Sequence, residues 1–171
     1  MPIAPQGTPG SGACDIFLHV MAKRAGKVKG EARSAGHTDD IVVSGWRWGL
    51  SVSSSVGMTR ETSLRSYNAL TVFKSIDSAT TALMSALASN DEIKEAKLTM
   101  RRAGGEQEDF FLITLKDARI ASVNHEVDAD GETREIVAIS FTQVEVEYRG
   151  QRATGGRGAS SIFADNLPAR T

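Results

Sequence analysis

The sequence predicts a mainly β domain whose bent antiparallel strands close into a barrel, with one flanking α-helix. Three observations carry this reading. Apolar runs of strand length recur along the chain and are separated by turn signals, Ala103-Gly104-Gly105-Glu106 and Asp130-Gly131 among them. Only one segment has helical periodicity. Two of the longer strands change face partway along, as sheets that bend into a barrel require.

Residues 1–13 are rich in Pro, Gly and Ser and read as an N-terminal arm. The first strand spans Asp15 to Lys23, where Ile16, Phe17, Leu18 and Val20 occupy both parities and so imply cover on both faces. Ala25 to Asp40 reads as a polar, Gly-containing connection. Strand character returns over Ile41 to Ser53, gives way to a Ser/Thr/Arg-rich stretch from Ser54 to Ser66, and resumes over Tyr67 to Ile76. Asp77 is placed to cap a short helix, since its carboxylate can accept from the exposed amides of the first turn. Ala79, Leu83, Ala86 and Leu87 then form the apolar face, and Asn90 supplies the stop.

The second half is β. Lys94–Arg102 and Phe110–Val123 flank the Gly-rich turn as a hairpin. Asp130-Gly131, a type I′ signal, joins the strand ending near Val127 to the one over Glu135–Arg149. In that last strand Val137, Ile139 and Phe141 share one parity, but Val144, Val146 and Tyr148 share the other. A one-residue slip inverts every side chain, so a bulge or bend is expected at Thr142 and Gln143. The change from Phe111, Ile113 and Leu115 to Ala118 and Ile120 predicts a similar slip. The expected organisation is an arm (1–13), a β-barrel domain (14–150) and a tail (151–171).

Composition excludes several classes of function. The 171 residues carry 20 Lys and Arg against 21 Asp and Glu, a formal net charge of -1. That balance gives no reason to expect nucleic acid or an anionic membrane as partner. Cys14 is the sole cysteine, which precludes an internal disulfide framework and suits a reducing cytoplasm. The N-terminus lacks the basic start and apolar run of a signal peptide, so export by the general secretory route is not expected.

The chemistry-bearing residues do not assemble into a catalytic pattern. His19, His37 and His125 lack metal-ligand spacing. Glu126, Asp128, Asp130 and Gly131 imitate the start of a calcium loop, but Val137 stands where the bidentate Glu belongs. Cys14 has no adjacent base, and neither a nucleophile elbow nor a phosphate-binding loop occurs. Lys23, Arg24, Lys27 and Lys29 are balanced by Glu31, Asp39 and Asp40, as in a solvated loop. No enzyme activity, cofactor or metal is expected. In Trp46-Arg47-Trp48-Gly49, alternation puts both indoles on one face, core or interface, and Arg47 on the other.

Several motifs in fixed order resemble the Hcp proteins of bacterial type VI secretion. They are Asp15-Ile16-Phe17-Leu18, Val28-Lys29-Gly30-Glu31, His37, Ile41 and Trp46-Arg47-Trp48-Gly49. Lys74-Ser75-Ile76-Asp77 follows, then Ile93 to Thr99 and Arg102 to Glu106 almost residue for residue. Ile113-Thr114-Leu115, Ser122-Val123, Phe141 and Val146-Glu147-Tyr148 continue in register. The likeness runs from Asp15 to about Tyr148. The family often has a Gly-rich loop after the Trp pair, where this chain has Met58, Thr59, Arg60 and Glu61, and a proline at the helix start that is absent here.

The resemblance implies a closed barrel of two antiparallel sheets assembling as a hexameric ring. Rings stack into a hollow tube driven out by a contractile sheath behind a VgrG-like spike, with effector proteins in the lumen. The protein would then be cytoplasmic until the type VI system exports it. On that architecture the face of Ile41, Val43, Gly45 and Arg47 is expected to line the lumen. The loops holding Lys29, Glu31 and His37, and Met58, Arg60 and Glu61, are expected to make the stacking contacts. The alternatives are a stand-alone effector-binding chaperone, a phage-tail-tube-like protein, or a hydrolase fused to such a subunit, for which the tail after Gly150 is too short.

Overall fold

The structure is a computed structural model and describes residues 14–53, 64–103, 107–152, 154 and 157–167. The strands, in chain order, are β1 (Cys14–Ala22), β2 (Gly26–Lys27), β3 (Ile41–Val43), β4 (Gly45–Arg47), β5 (Leu50–Ser53), β6 (Leu64–Tyr67) and β7 (Leu70–Lys74). Helix α1 (Thr80–Ala88) precedes β8 (Ile93–Arg102), β9 (Asp109–Val127), β10 (Thr133–Ser140), β11 (Gln143–Gln151) and β12 (Arg157–Asn166). The predicted arm lies outside the described residues.

Strand β9 organises the molecule. Its first half pairs with β8 and β11, and its second half pairs with β10. The first sheet runs β1, β8, β9, β11, β12, with β2 and β3 on the outer side of β1; the second runs β9, β10, β7, β4. The hinge is Asp117, a non-glycine residue at φ 47°, where the sequence predicts a slip. The Thr142 hydroxyl and Gln143 Nε2 donate to the Asp117 carbonyl and carboxylate, at 3.3 and 3.1 Å. Here the chain also leaves β10 in one sheet and enters β11 in the other. The single strand expected over Glu135–Arg149 is therefore two strands, and its parity change is a change of sheet.

A third crossing lies at Ser44. Its amide and hydroxyl both donate to the Phe73 carbonyl, at 2.8 and 2.9 Å. β3 before it pairs with β1, and β4 after it pairs with β7. Among the described residues the sheets return to each other here through the covalent chain at Ser44 and its hydrogen bonds to Phe73. Among the described residues no ladder seals that seam, which corrects the expectation of a closed barrel. The expected strand Ile41–Ser53 is likewise broken into three, because each sheet takes only a few of its residues.

The core lies between the sheets and under α1. It includes Leu18, Val20, Ile41, Leu70, Val72, Leu83, Leu98, Ile113, Leu115, Val137 and Ile139. Trp48 and Tyr67 stack at 5.9 Å and both meet Phe141, while Trp46 stacks on Phe111 at 5.9 Å. Both indoles pack on the core as alternation predicts. Trp48 Nε1 is buried and has no hydrogen-bond partner among the described residues.

The helix starts later than predicted. Its N-cap is Ala79, and Asp77 instead accepts from the Ala79 amide at 3.0 Å while the Asp77 amide donates to Thr80 Oγ1 at 3.0 Å. Ala79, Leu83 and Ala86 are buried as expected, whereas Leu87 is exposed and Thr80 is buried, because Thr80 reaches a buried carboxylate. Asn90, at φ 51°, ends the helix as expected. The turn after β9 spans 128–132 and is pinned by Asp128 Oδ1, which accepts from the amides of Asp130 and Glu132, both at 2.9 Å. Only Gly131 has positive φ there, so the turn is not type I′. β8 and β9 pair antiparallel as expected of a hairpin, and residues 104–106 between them lie outside the described set. The described part of the predicted tail is mostly strand, since β12 pairs with β11 from Gln143↔Asn166 to Gln151↔Arg157.

Lys74 and Glu135 are fully buried and bond at 2.8 Å, across the β7–β10 ladder. Thr80 Oγ1 donates to Glu135 Oε2 at 2.6 Å, and Lys74 Nζ also reaches Asp77 Oδ1 at 2.8 Å. This polar knot ties α1 to the second sheet. Removing the Lys74 ammonium leaves the buried Glu135 carboxylate without its lysine partner. Lys74→Met is therefore expected to destabilise the protein by about 3–5 kcal/mol in urea unfolding, and adding Glu135→Gln to recover part of that loss.

Candidate functional site

The face of the second sheet that points away from the core gathers the first candidate site. Register pairs Gly45 with Phe73 and Arg47 with Thr71 on β7, and Phe73 with Ile136 on β10. These side chains share the outward parity, opposite Leu70, Val72 and Lys74. The Arg47 guanidinium lies 5.8 Å from the Phe73 ring centroid, and that of Arg134 lies 6.0 Å from it. Two cations therefore flank one half-exposed aromatic ring, an arrangement suited to an acidic and apolar partner surface. Sequence alternation found Arg47 and Gly45. It missed Phe73 and Arg134, which come from strands distant in sequence, and only register could bring them in.

Val43 does not belong to that face. It is 4% exposed, and Ile41 is wholly buried, whereas Val42 between them is 52% exposed. The bend at Ser44 inverts parity, so odd residues point inward before it and outward after it. The single face expected to hold Ile41, Val43, Gly45 and Arg47 is corrected to Gly45 and Arg47 alone.

The second candidate is the segment 28–40, which folds back on itself rather than forming a loose connection. The Gly30 amide donates to the Asp39 carbonyl at 2.8 Å, and the Ala32 amide to the Asp40 carbonyl at 3.0 Å. A side chain at position 30 would strike Asp40: a Cβ there would lie 2.4 Å from its carbonyl oxygen, so only glycine fits. Lys29 and Glu31 are exposed, as a contact loop requires. His37 is buried and stacks on Phe17 at 4.3 Å. It is not available as a surface contact, which corrects its assignment. Met58, Arg60 and Glu61 lie outside the described residues.

Ionic contacts fix this segment. Asp40 meets His37 Nδ1 at 3.0 Å, His19 Nδ1 at 3.1 Å and Lys27 Nζ at 3.1 Å. Burial opposes the Asp40 charge, but the hydrogen bonds from His37, His19 and Lys27 outweigh it and hold the carboxyl below its usual range. His37 Nε2 lies 3.2 Å from both oxygens of Asp109, which also accepts from Arg101 Nε at 3.0 Å. Lys23 pairs with Glu92 and Arg24 with Asp91. Among the described residues no group of three or more His, Cys, Asp or Glu is arranged to hold a metal, and no helix is long and apolar enough to cross a membrane.

The β5–β6 hairpin projects beside β12, and Asp165 of β12 pins it. Its carboxylate accepts from Arg65 Nη2 at 2.9 Å, from Arg65 Nε and from the Tyr67 hydroxyl. The Arg65 and Tyr67 hydrogen bonds hold the Asp165 carboxyl below the ordinary aspartate range. A depressed carboxylate contributes stability above its unfolded pKa and loses it as pH falls through the folded one. The pin is therefore intact at neutral pH and released only in acid. In Asp165→Asn, hydrogen exchange of the described β5 and β6 amides is expected to rise at neutral pH and to lose its acid dependence.

The comparisons with known proteins agree with this architecture. The family described as "Type VI secretion system effector, Hcp" matches residues 17–148. Protein hcp1 of Pseudomonas aeruginosa is 37% identical over 155 residues, covering 88% of this chain and 92% of that protein. A solved type six secretion system protein superposes with a TM-score of 0.79 at 21% identity, covering 91% of this chain and 96% of its own. Hcp1 of Salmonella typhimurium superposes with a TM-score of 0.67 at 29% identity, covering 88% and 94%.

Proposed function

The chain belongs to the Hcp family of type VI secretion proteins, and from that premise we propose that it closes with copies of itself into a hexameric ring. Family membership makes it a tube protein of that system, a structural part rather than a known catalyst. In the proposed assembly, rings stack into a hollow tube. A contractile sheath drives the tube outward behind a spike, and effector proteins occupy its lumen. The protein leaves the cell with the tube.

The observation that carries the ring reading is strand β12. Among the described residues it pairs only with β11, so one edge is open, and nearly all its side chains are exposed. Ile162 is 62% exposed and Phe163 44%, on opposite faces of the strand. An open edge carrying bare apolar residues is unusual for a solitary soluble domain and suits a partner that covers it. A heterologous contact of this kind, between unlike sides of two copies, closes into a ring when the rotation permits.

Within the ring, the outward face of the second sheet, with Gly45 and Arg47, lines the lumen. Exposed Lys29 and Glu31, with the segment holding Met58, Arg60 and Glu61, meet the next ring. A formal net charge of only -1 leaves such stacking nearly free of long-range repulsion.

Native mass spectrometry followed by negative-stain imaging is expected to give six-copy annular particles; a strictly single-copy protein at high concentration would overturn the ring. Arg47→Glu is expected to preserve ring mass while weakening co-purification of an acidic effector by about five-fold, the scale of one exposed charge contact. Loss of rings in that variant would make Arg47 a subunit contact and remove the lumen assignment.

A further inference from the structure

The buried His37 is bound on both sides by carboxylates, Asp40 at Nδ1 and Asp109 at Nε2. A neutral imidazole has one N–H and one lone pair, so one of those contacts would set a lone pair against a carboxylate. Only the imidazolium donates at both. We propose that His37 is a proton-gated latch: its imidazolium clamps segment 28–40 to the start of β9, and loss of that proton frees the segment.

The surroundings fit such a latch on every side. From β1, Phe17 stacks on the ring and His19 shares Asp40. From β2, Lys27 reaches the same carboxylate. From β8, Arg101 lies over Phe17, 5.6 Å from its centroid, and bonds Asp109 of β9. Asp40 is held in its charged form by these partners, so it stays an acceptor throughout the range in which a histidine titrates. Asp40 and His37 also close the segment themselves, the Asp40 amide donating to the His37 carbonyl at 3.0 Å.

The sign follows from the geometry. A group protonated in the closed form stabilises that form at lower pH and ceases to do so as pH rises. On release, one proton passes to solvent and the lone pair it leaves faces a carboxylate, which pushes the segment open. The consequence for assembly rests on the reading that Lys29 and Glu31 of this segment meet the next ring. Stacking would then be firm in mildly acidic surroundings and looser in alkaline ones.

The test uses the full chain with ¹⁵N-labelled histidine. At mildly acidic pH both His37 ring nitrogens are expected to carry protons, and hydrogen exchange across 28–40 to quicken as pH rises, beyond the intrinsic pH dependence of amide exchange. A neutral tautomer throughout, with the shared proton residing on Asp109, would overturn the latch; so would protection that does not change with pH. His37→Gln, which can donate to only one of the two carboxylates, is expected to raise exchange of the segment about tenfold in mild acid, the scale of one charge-assisted hydrogen bond, and to remove the pH response. His19→Gln is expected to retain that response. Because the labelled wild-type protein answers the question directly, a poorly folding variant leaves the test intact. Imaging of stacked rings at the two pH values separates the two readings. A segment that opens while stack length stays constant would uphold the latch and overturn its role in stacking.

Discussion

One strand belongs to both sheets, and that constraint sets the rest of the structure. Over 19 residues β9 serves the first sheet with one half and the second with the other, bending at Asp117. A bent strand can satisfy its backbone groups on both sides only if its neighbours bend or end at the same place. β10 and β11 meet that requirement by changing sheet at Phe141 and Thr142, directly against Asp117. The crossing at Ser44 is then fixed in space by where β1 and β7 have been carried. Without the bend at Asp117 the sheets would splay and the core between them would be open to water.

The ladders fix the body, whereas directed polar contacts fix what hangs on it. Lys74, Glu135 and Thr80 hold the helix, Asp40, His37 and Asp109 hold segment 28–40, and Asp165 holds the β5–β6 hairpin. Each joins residues from at least two elements that share no backbone ladder, or places a charge where burial leaves no second choice of partner. The sheets are held by their ladders independently of the polar contacts that hold these attached segments. Polar fastenings of this type contribute orientation at modest net stability, because desolvation offsets much of the Coulombic gain.

The exterior is uneven. One face carries Arg47, Phe73 and Arg134, one edge carries β12, unpaired on one side among the described residues, and Lys29 and Glu31 are exposed elsewhere. Unlike surfaces on different sides are what repeated self-contact requires, since each copy must present to the next something other than what it receives.

Much of this was legible in the sequence, and the residues that were not share one physical cause. Local chemistry by itself determined the strand-rich class, the single helix and its stop at Asn90, the inward Trp pair, and the slips at Leu115–Ala118 and Thr142–Gln143, because parity and capping depend on near neighbours. The ordered motifs from Asp15 to Tyr148 determined the family. Tertiary structure alone decided that the slips are changes of sheet, that the sheets stop short of a sealed barrel, and that β12 is a strand. It alone buried Val43 and His37 and brought Phe73 and Arg134 beside Arg47. Each of these depends on which distant strand lies alongside, at what register, and a one-residue difference there inverts every side chain.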